Sequence, residues 1–144
     1  QENLQSKMRS SVYAALFSLV AVGLAVECHP KVDPIPTFSL SDGRNLQNDI
    51  HGNQFTPPLN FPLTIDPAHT ASFAVGSAIA CIENAYSFES TRIGQTDLAN
   101  AIQAIMDECD HGNGVTKGGK VDIIGDNGLP LEVLIQDRAL GCEN

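Results

Sequence analysis

Basic residues are scarce in this 144-residue chain: 8 Lys and Arg face 17 Asp and Glu, for a formal net charge of −9. No basic run exists, so binding to nucleic acid through phosphate neutralisation is not expected. Tryptophan is absent, and none of the 4 cysteines falls in a C-x-x-C pair, which argues against a zinc ribbon and against thioredoxin-like redox chemistry. The H-E-x-x-H, G-x-S-x-G and phosphate-loop motifs are missing. No N-x-Ser/Thr acceptor occurs, so N-glycosylation is not expected. What is present is an ordinary apolar content, 42% hydrophobic residues, enough for a globular chain rather than a disordered one. The length suits one domain.

The apolar residues are unevenly placed. Lys7 and Arg9 precede an apolar run from Val12 to Val22, interrupted only by Ser18 and followed by small residues at Gly23 and Ala25. A basic start, a short apolar stretch and small residues at −3 and −1 are the parts of a secretory signal, read here as residues 8–25 with cleavage after Ala25. A membrane anchor would need about 20 apolar residues; this run is shorter and ends at Glu27, Cys28 and His29. Residues 1–7 precede Met8, resemble a shortened tag scar, and are set aside as a remnant. Without residues 1–25 the chain keeps 6 basic and 16 acidic residues, a net charge of −10. The expected product is a secreted, extracellular protein without stable membrane insertion.

Cys28, Cys81, Cys109 and Cys142 form an even set behind an export signal, so two disulfides are expected. Between Pro30 and Pro67 lie seven of the eight prolines, which argue against helix. Residues 26–58 therefore read as a proline-rich arm, and residues 59–144 as an α+β domain. At the start of that domain Leu59, Phe61, Leu63 and Ile65 alternate with Asn60, Pro62 and Thr64, the period of a half-buried edge strand.

Asp66-Pro67 resembles a helix start. Ala71, Ala74, Val75, Ala78, Ile79, Ile82, Ala85 and Tyr86 then recur with the spacing of a helical face. The rival reading makes Ser77 to Phe88 a strand, with poorer alternation. A second helix is expected from Thr96, its cap, to Asp110, with Leu98, Ala101, Ile102, Ile105, Met106 and Cys109 on one stripe and Gly112 beyond its end. A hairpin follows: Val121 to Ile124, the turn Asp126-Asn127-Gly128, then Leu129, Leu131, Val133 and Ile135 in alternation.

The economical arrangement packs the two helices on one face of a small antiparallel sheet. The strand Leu129–Ile135 runs back towards the end of the second helix, which favours Cys109–Cys142 and leaves Cys28–Cys81 to clamp the arm. If Ser77–Phe88 is a strand instead, a helix returning antiparallel to it brings Cys109 near Cys81. The pairing therefore tests the helix assignment.

Chemistry-bearing constellations are sparse. Asp107, Asp110 and His111 could ligate a divalent cation, but no EF-hand spacing appears, and a solvated helix end is the preferred reading. Glu83 and Glu89 could be paired acids, yet surface charge explains them more simply. No catalytic, cofactor-binding or metal residue is assigned, and no cofactor is expected.

Ala80-Cys81-Ile82, Leu98-Ala99-Asn100-Ala101-Ile102 and Leu131-Glu132-Val133-Leu134-Ile135 running to Cys142 resemble small secreted fungal proteins of the killer-toxin-like and necrosis-inducing effector group. The resemblance covers about half the chain and implies a sheet packed by two helices, acting outside the cell on a plant host or on competing microbes. The expected function is that of a non-enzymatic effector, a monomer that binds an extracellular host protein. The alternative is a killer-toxin-like antimicrobial protein acting on microbial cells. The acidic balance favours the former, because it weakens attraction to anionic envelopes.

Overall fold

The computed structural model describes residues 24–30 and 35–142. The expected leader lies outside the described residues except for Leu24 and Ala25, both exposed. Nine strands and two α-helices are described: β1 (Val26–Cys28), β2 (Phe38–Ser39), α1 (Leu40–Gly52), β3 (Leu63–Ile65), β4 (His69–Val75), β5 (Ala78–Asn84), β6 (Thr91–Ile93), α2 (Gln95–Glu108), β7 (Val115–Thr116), β8 (Gly119–Ile124) and β9 (Pro130–Asp137). The protein is α+β, and sheet dominates it. A five-stranded antiparallel sheet runs in the order β1-β8-β9-β5-β4, flanked by the two-stranded pairs β2-β7 and β3-β6.

Register sorts the large sheet into rows. Val26, Val121, Val133, Ile82 and Ala71 face one another across all five strands. Val121, Val133 and Ile82 share one buried cluster with Leu46 and Ile50 of α1 and with Leu98, Ile102 and Ile105 of α2, and the half-buried Val26 and Ala71 pack against it. The neighbouring rows project from the other face, because successive side chains alternate. One runs Glu27, Lys120, Leu134, Cys81 and Ser72; the other runs Asp122, Glu132, Glu83 and Thr70.

Two expectations hold closely. The stripe from Leu98 to Cys109 is buried along α2. The helix begins one turn-fraction earlier than expected, capped by the backbone of Gly94 rather than by Thr96, and its C-cap is Cys109 rather than Gly112. β8 and β9 form the expected hairpin around Asp126-Asn127-Gly128.

Three expectations are corrected. The proline-rich arm contains α1. Between Pro36 and Pro57 the chain has no proline, and Leu46 and Ile50, fully buried, sit at the i, i+4 spacing of a helical face. Asn53 ends α1 in the left-handed region, and its side-chain amide both donates to and accepts from the backbone of Leu59, at 2.8 Å each. The edge strand shrinks to Leu63–Ile65, paired with β6; Leu59 and Phe61 lie in the irregular chain before it.

The helix expected after Asp66-Pro67 is the β4–β5 hairpin, with the rival strand reading correct for its second half. β5 is covered on both faces, and a strand buried on both sides loses the alternation that marks it. Its turn is Gly76-Ser77. Gly76 takes φ +57, and the Asp42 carboxylate occupies the space where a Cβ would stand. Asn84 on β5 is fully buried, and its Nδ2 donates to the carbonyls of Ile65, Asp66 and Glu89. A helix would leave that amide without those partners.

Candidate functional site

All four cysteines are bonded, in a pattern that corrects both pairings argued from sequence. Cys28 joins Cys109 and Cys81 joins Cys142. The reason lies in the parity of the strands. Cys28 falls in the row of Gly119 and Ile135, on the side of the sheet that joins the main core, where Cys109 ends α2. Gly119 leaves room there: a Cβ would press on the backbone of Glu27 and Cys28 and on Cys109 Sγ. Cys81 projects from the opposite face, out of reach of Cys28 and Cys109. After β9 the chain turns through Arg138–Leu140, capped by Asp137, whose Oδ1 accepts from Ala139 N at 2.7 Å. This turn lays the tail across Cys81, which is 3% exposed, and Gln136 Nε2 holds Gly141 O at 2.7 Å. One bridge therefore lies on each face of the sheet.

The metal-like triplet is not assembled. The Asp107 carboxylate pairs with Arg44 of α1 at 2.7 Å. Asp110 accepts from Gly112 N at 2.8 Å, an Asx turn beyond the helix. Among the described residues no group of three or more His, Cys, Asp or Glu side chains is placed to hold a metal ion. Glu83 and Glu89 are likewise held apart in role. Glu83 stands in the outer row between Thr70 and Glu132, whereas Glu89 accepts from Asn127 Nδ2 of the β8–β9 turn at 3.3 Å.

Two polar features escaped the sequence. The first is a latch between α1 and the β4–β5 turn. Asp42 Oδ2 accepts from Ser77 N at 2.7 Å and from Ser77 Oγ at 2.6 Å, and Ser77 Oγ in turn accepts from Ser39 N at 2.9 Å. Hydrogen bonds from the Ser77 side chain and backbone hold the Asp42 carboxyl below the usual carboxylate range. Only knowledge of α1 could have pointed to it. The second is the acidic outer face. Asp122, Glu132 and Glu83 occupy adjacent positions across three strands, with Lys120 bonded to Glu132 at 3.4 Å. Glu132 raises the Lys120 pKa.

A cleft of about 380 Å³ lies where β1, β7 and the end of α2 meet, lined by His29, Thr37, His111, Asn113 and Thr116 among others. Burial pushes the His29 imidazole below its ordinary pKa, opposed by the Gln136 side chain, and among the described residues its buried Nε2 has no hydrogen-bond partner. Thr116 is committed to structure, donating to Cys109 O at 2.8 Å. Among the described residues no helix is long and apolar enough to cross a membrane. No protein-family model matches the chain, and comparison with curated proteins finds no match.

Proposed function

We propose that this protein is a secreted, disulfide-stabilised, non-enzymatic effector acting on an extracellular host target. The observation that carries the proposal is the engagement of all four cysteines in two bridges. Such bonds persist in oxidising surroundings and are rare in reducing ones. They also supply stability to a domain of modest size, where the core alone gives a narrow margin. In this reading both helices cover one face of the sheet, and the other face, with its row of carboxylates, is offered to the target. Complementary charge across such a surface speeds encounter and rejects wrong partners more than it adds affinity.

The net charge also supports an effector over a killer-toxin-like antimicrobial protein, because an acidic body is repelled by anionic microbial envelopes. The test applies purified, oxidised protein to plant leaf and, in parallel, to growing microbial cultures. A leaf response without growth inhibition is expected. Growth inhibition without a leaf response would overturn the ranking. Recovery of the protein inside cells with four free thiols would remove the basis for either reading.

A further inference from the structure

The two edges of the five-stranded sheet differ. β1 is three residues long, carries Glu27 and is tied down through Cys28. β4 is seven residues long, from His69 to Val75, and contains no Lys, Arg, Asp, Glu or Pro. Natural edge strands are usually blunted by charge, proline, bulges or shortness. None of these devices is present on β4.

The two-residue turn at Gly76-Ser77 closes on the Val75–Ala78 pair, so Val75, Phe73 and Ala71 exchange backbone bonds with β5. The N–H and C=O groups of Thr70, Ser72 and Ala74 point to the free side. Among the described residues nothing hydrogen-bonds to them. Thr70 and Ser72 are exposed, and Ala71, Phe73, Ala74 and Val75 are half-exposed.

We infer that the β4 edge pairs with the β4 edge of a second copy of this chain, antiparallel about a two-fold axis at Ser72, joining two sheets into one. This goes beyond the proposed function and departs from the monomer expected from sequence. The register is self-consistent: Ser72 meets Ser72 of the second copy and Thr70 meets Ala74, so every free backbone group finds its counterpart. The side chains brought together are small on the outer face and apolar on the inner one, where Phe73 comes opposite Ala71.

Charge selects the occupant. Two copies meeting through the outer face would set the row of Asp122, Glu132 and Glu83 against its own kind. A basic partner would be drawn to that row, not to a strand with no acidic residue. The neutral edge is the part of the sheet where two copies of an acidic chain meet without like-charge contact. A single-strand seam is small, so the dimer belongs to the weak, concentration-dependent class.

Sedimentation of the disulfide-bonded protein across a concentration series, with amide hydrogen exchange, tests the inference. The expected result is a rise from one chain to two, with the amides of Thr70, Ser72 and Ala74 slowing as the dimer fills. Ser72→Lys places like charges opposite each other at the axis, and should weaken the dimer about tenfold or more. Thr70→Lys gives a second reading should that variant fail to fold. Asn48→Lys, which adds the same charge on the exposed side of α1, should leave the dimer intact. A monomer at every concentration overturns the inference. So does a dimer that survives both edge variants while the three amides exchange freely, or a strict monomer whose edge is protected only by a foreign peptide.

Discussion

Removing the two bridges one at a time tests how this small body is held together. The bonds close loops with sequence separations of 81 and 61 residues. The chain-entropy relation then gives about 4.5 kcal/mol for Cys28–Cys109 and about 4.3 kcal/mol for Cys81–Cys142. Loop length alone thus ranks them as equal. Packing separates them. Cys109 is 1% exposed within the main core and rests against Gly119, so Cys28→Ala/Cys109→Ala also loses buried sulfur contacts, a further ~1 kcal/mol. Cys81→Ala/Cys142→Ala mainly frees the short tail beyond β9, which keeps the Gln136–Gly141 bond and the Arg138 N–H bond to Ser77 O among its remaining ties. Typical domains have ~5–15 kcal/mol in total, so either loss takes a large share and loss of both should leave the chain unfolded. Urea unfolding at neutral pH, followed by far-ultraviolet circular dichroism, measures both variants. Each m-value should exceed that of the parent, because an untied unfolded chain exposes more surface. The reasoning is refuted if the Cys81–Cys142 pair proves the more costly, or if either variant loses under about 1 kcal/mol. Non-reducing peptide mapping that finds Cys28 joined to Cys81 would refute the topology itself.

Leu46, fully buried on α1, should cost about 3 kcal/mol when changed to Ala; a denaturant midpoint unchanged from the parent would mean that residues 40–52 are not docked as a helix. Asp42 has a lowered pKa, so its latch to Ser77 stabilises fully above the ordinary value of 3.8 and is lost as pH falls through the lower folded value. Asp42→Asn should therefore lower the melting temperature near neutrality, with the difference from the parent shrinking in acid; a difference independent of pH would contradict this. The pKa of His29 is also lowered, and the stability its half-buried neutral imidazole contributes is fully present above 6.5 and is lost as pH drops through its folded value. Its ring protons followed by nuclear magnetic resonance should titrate with a midpoint below 6.5, and a midpoint above it would show that burial does not dominate there.

The legible parts of this fold are those with one exposed and one buried face. α2 shows its stripe from Leu98 to Cys109 because its outer side carries Asn100, Gln103 and Asp107. The β8–β9 hairpin shows alternation around a turn-forming Asp-Asn-Gly. β5 was opaque because the main core buries one side and the bridged tail covers the other, which leaves a continuous apolar run compatible with either period. Gly76-Ser77 marked the turn, but a helical count steps across it without penalty enough to stop. α1 was hidden by averaging: the prolines lie on both sides of residues 37–56, not within them. The bridges could not be ranked without knowing which face each cysteine occupies, and a misassigned helix at Cys81 removed that information. The Asp42–Ser77 latch depended on both misread segments.

The order in which the bridged cysteines occur along the chain, 28 and 81 before 109 and 142, means that the two covalent loops overlap rather than follow each other. A single cut by a protease anywhere between Cys28 and Cys142 then leaves the halves fastened together. Sequential pairing would have released two fragments from one cut between Cys81 and Cys109. Nicked molecules should keep their full mass until reductant is added, so a single cleavage need not mean loss of the folded body.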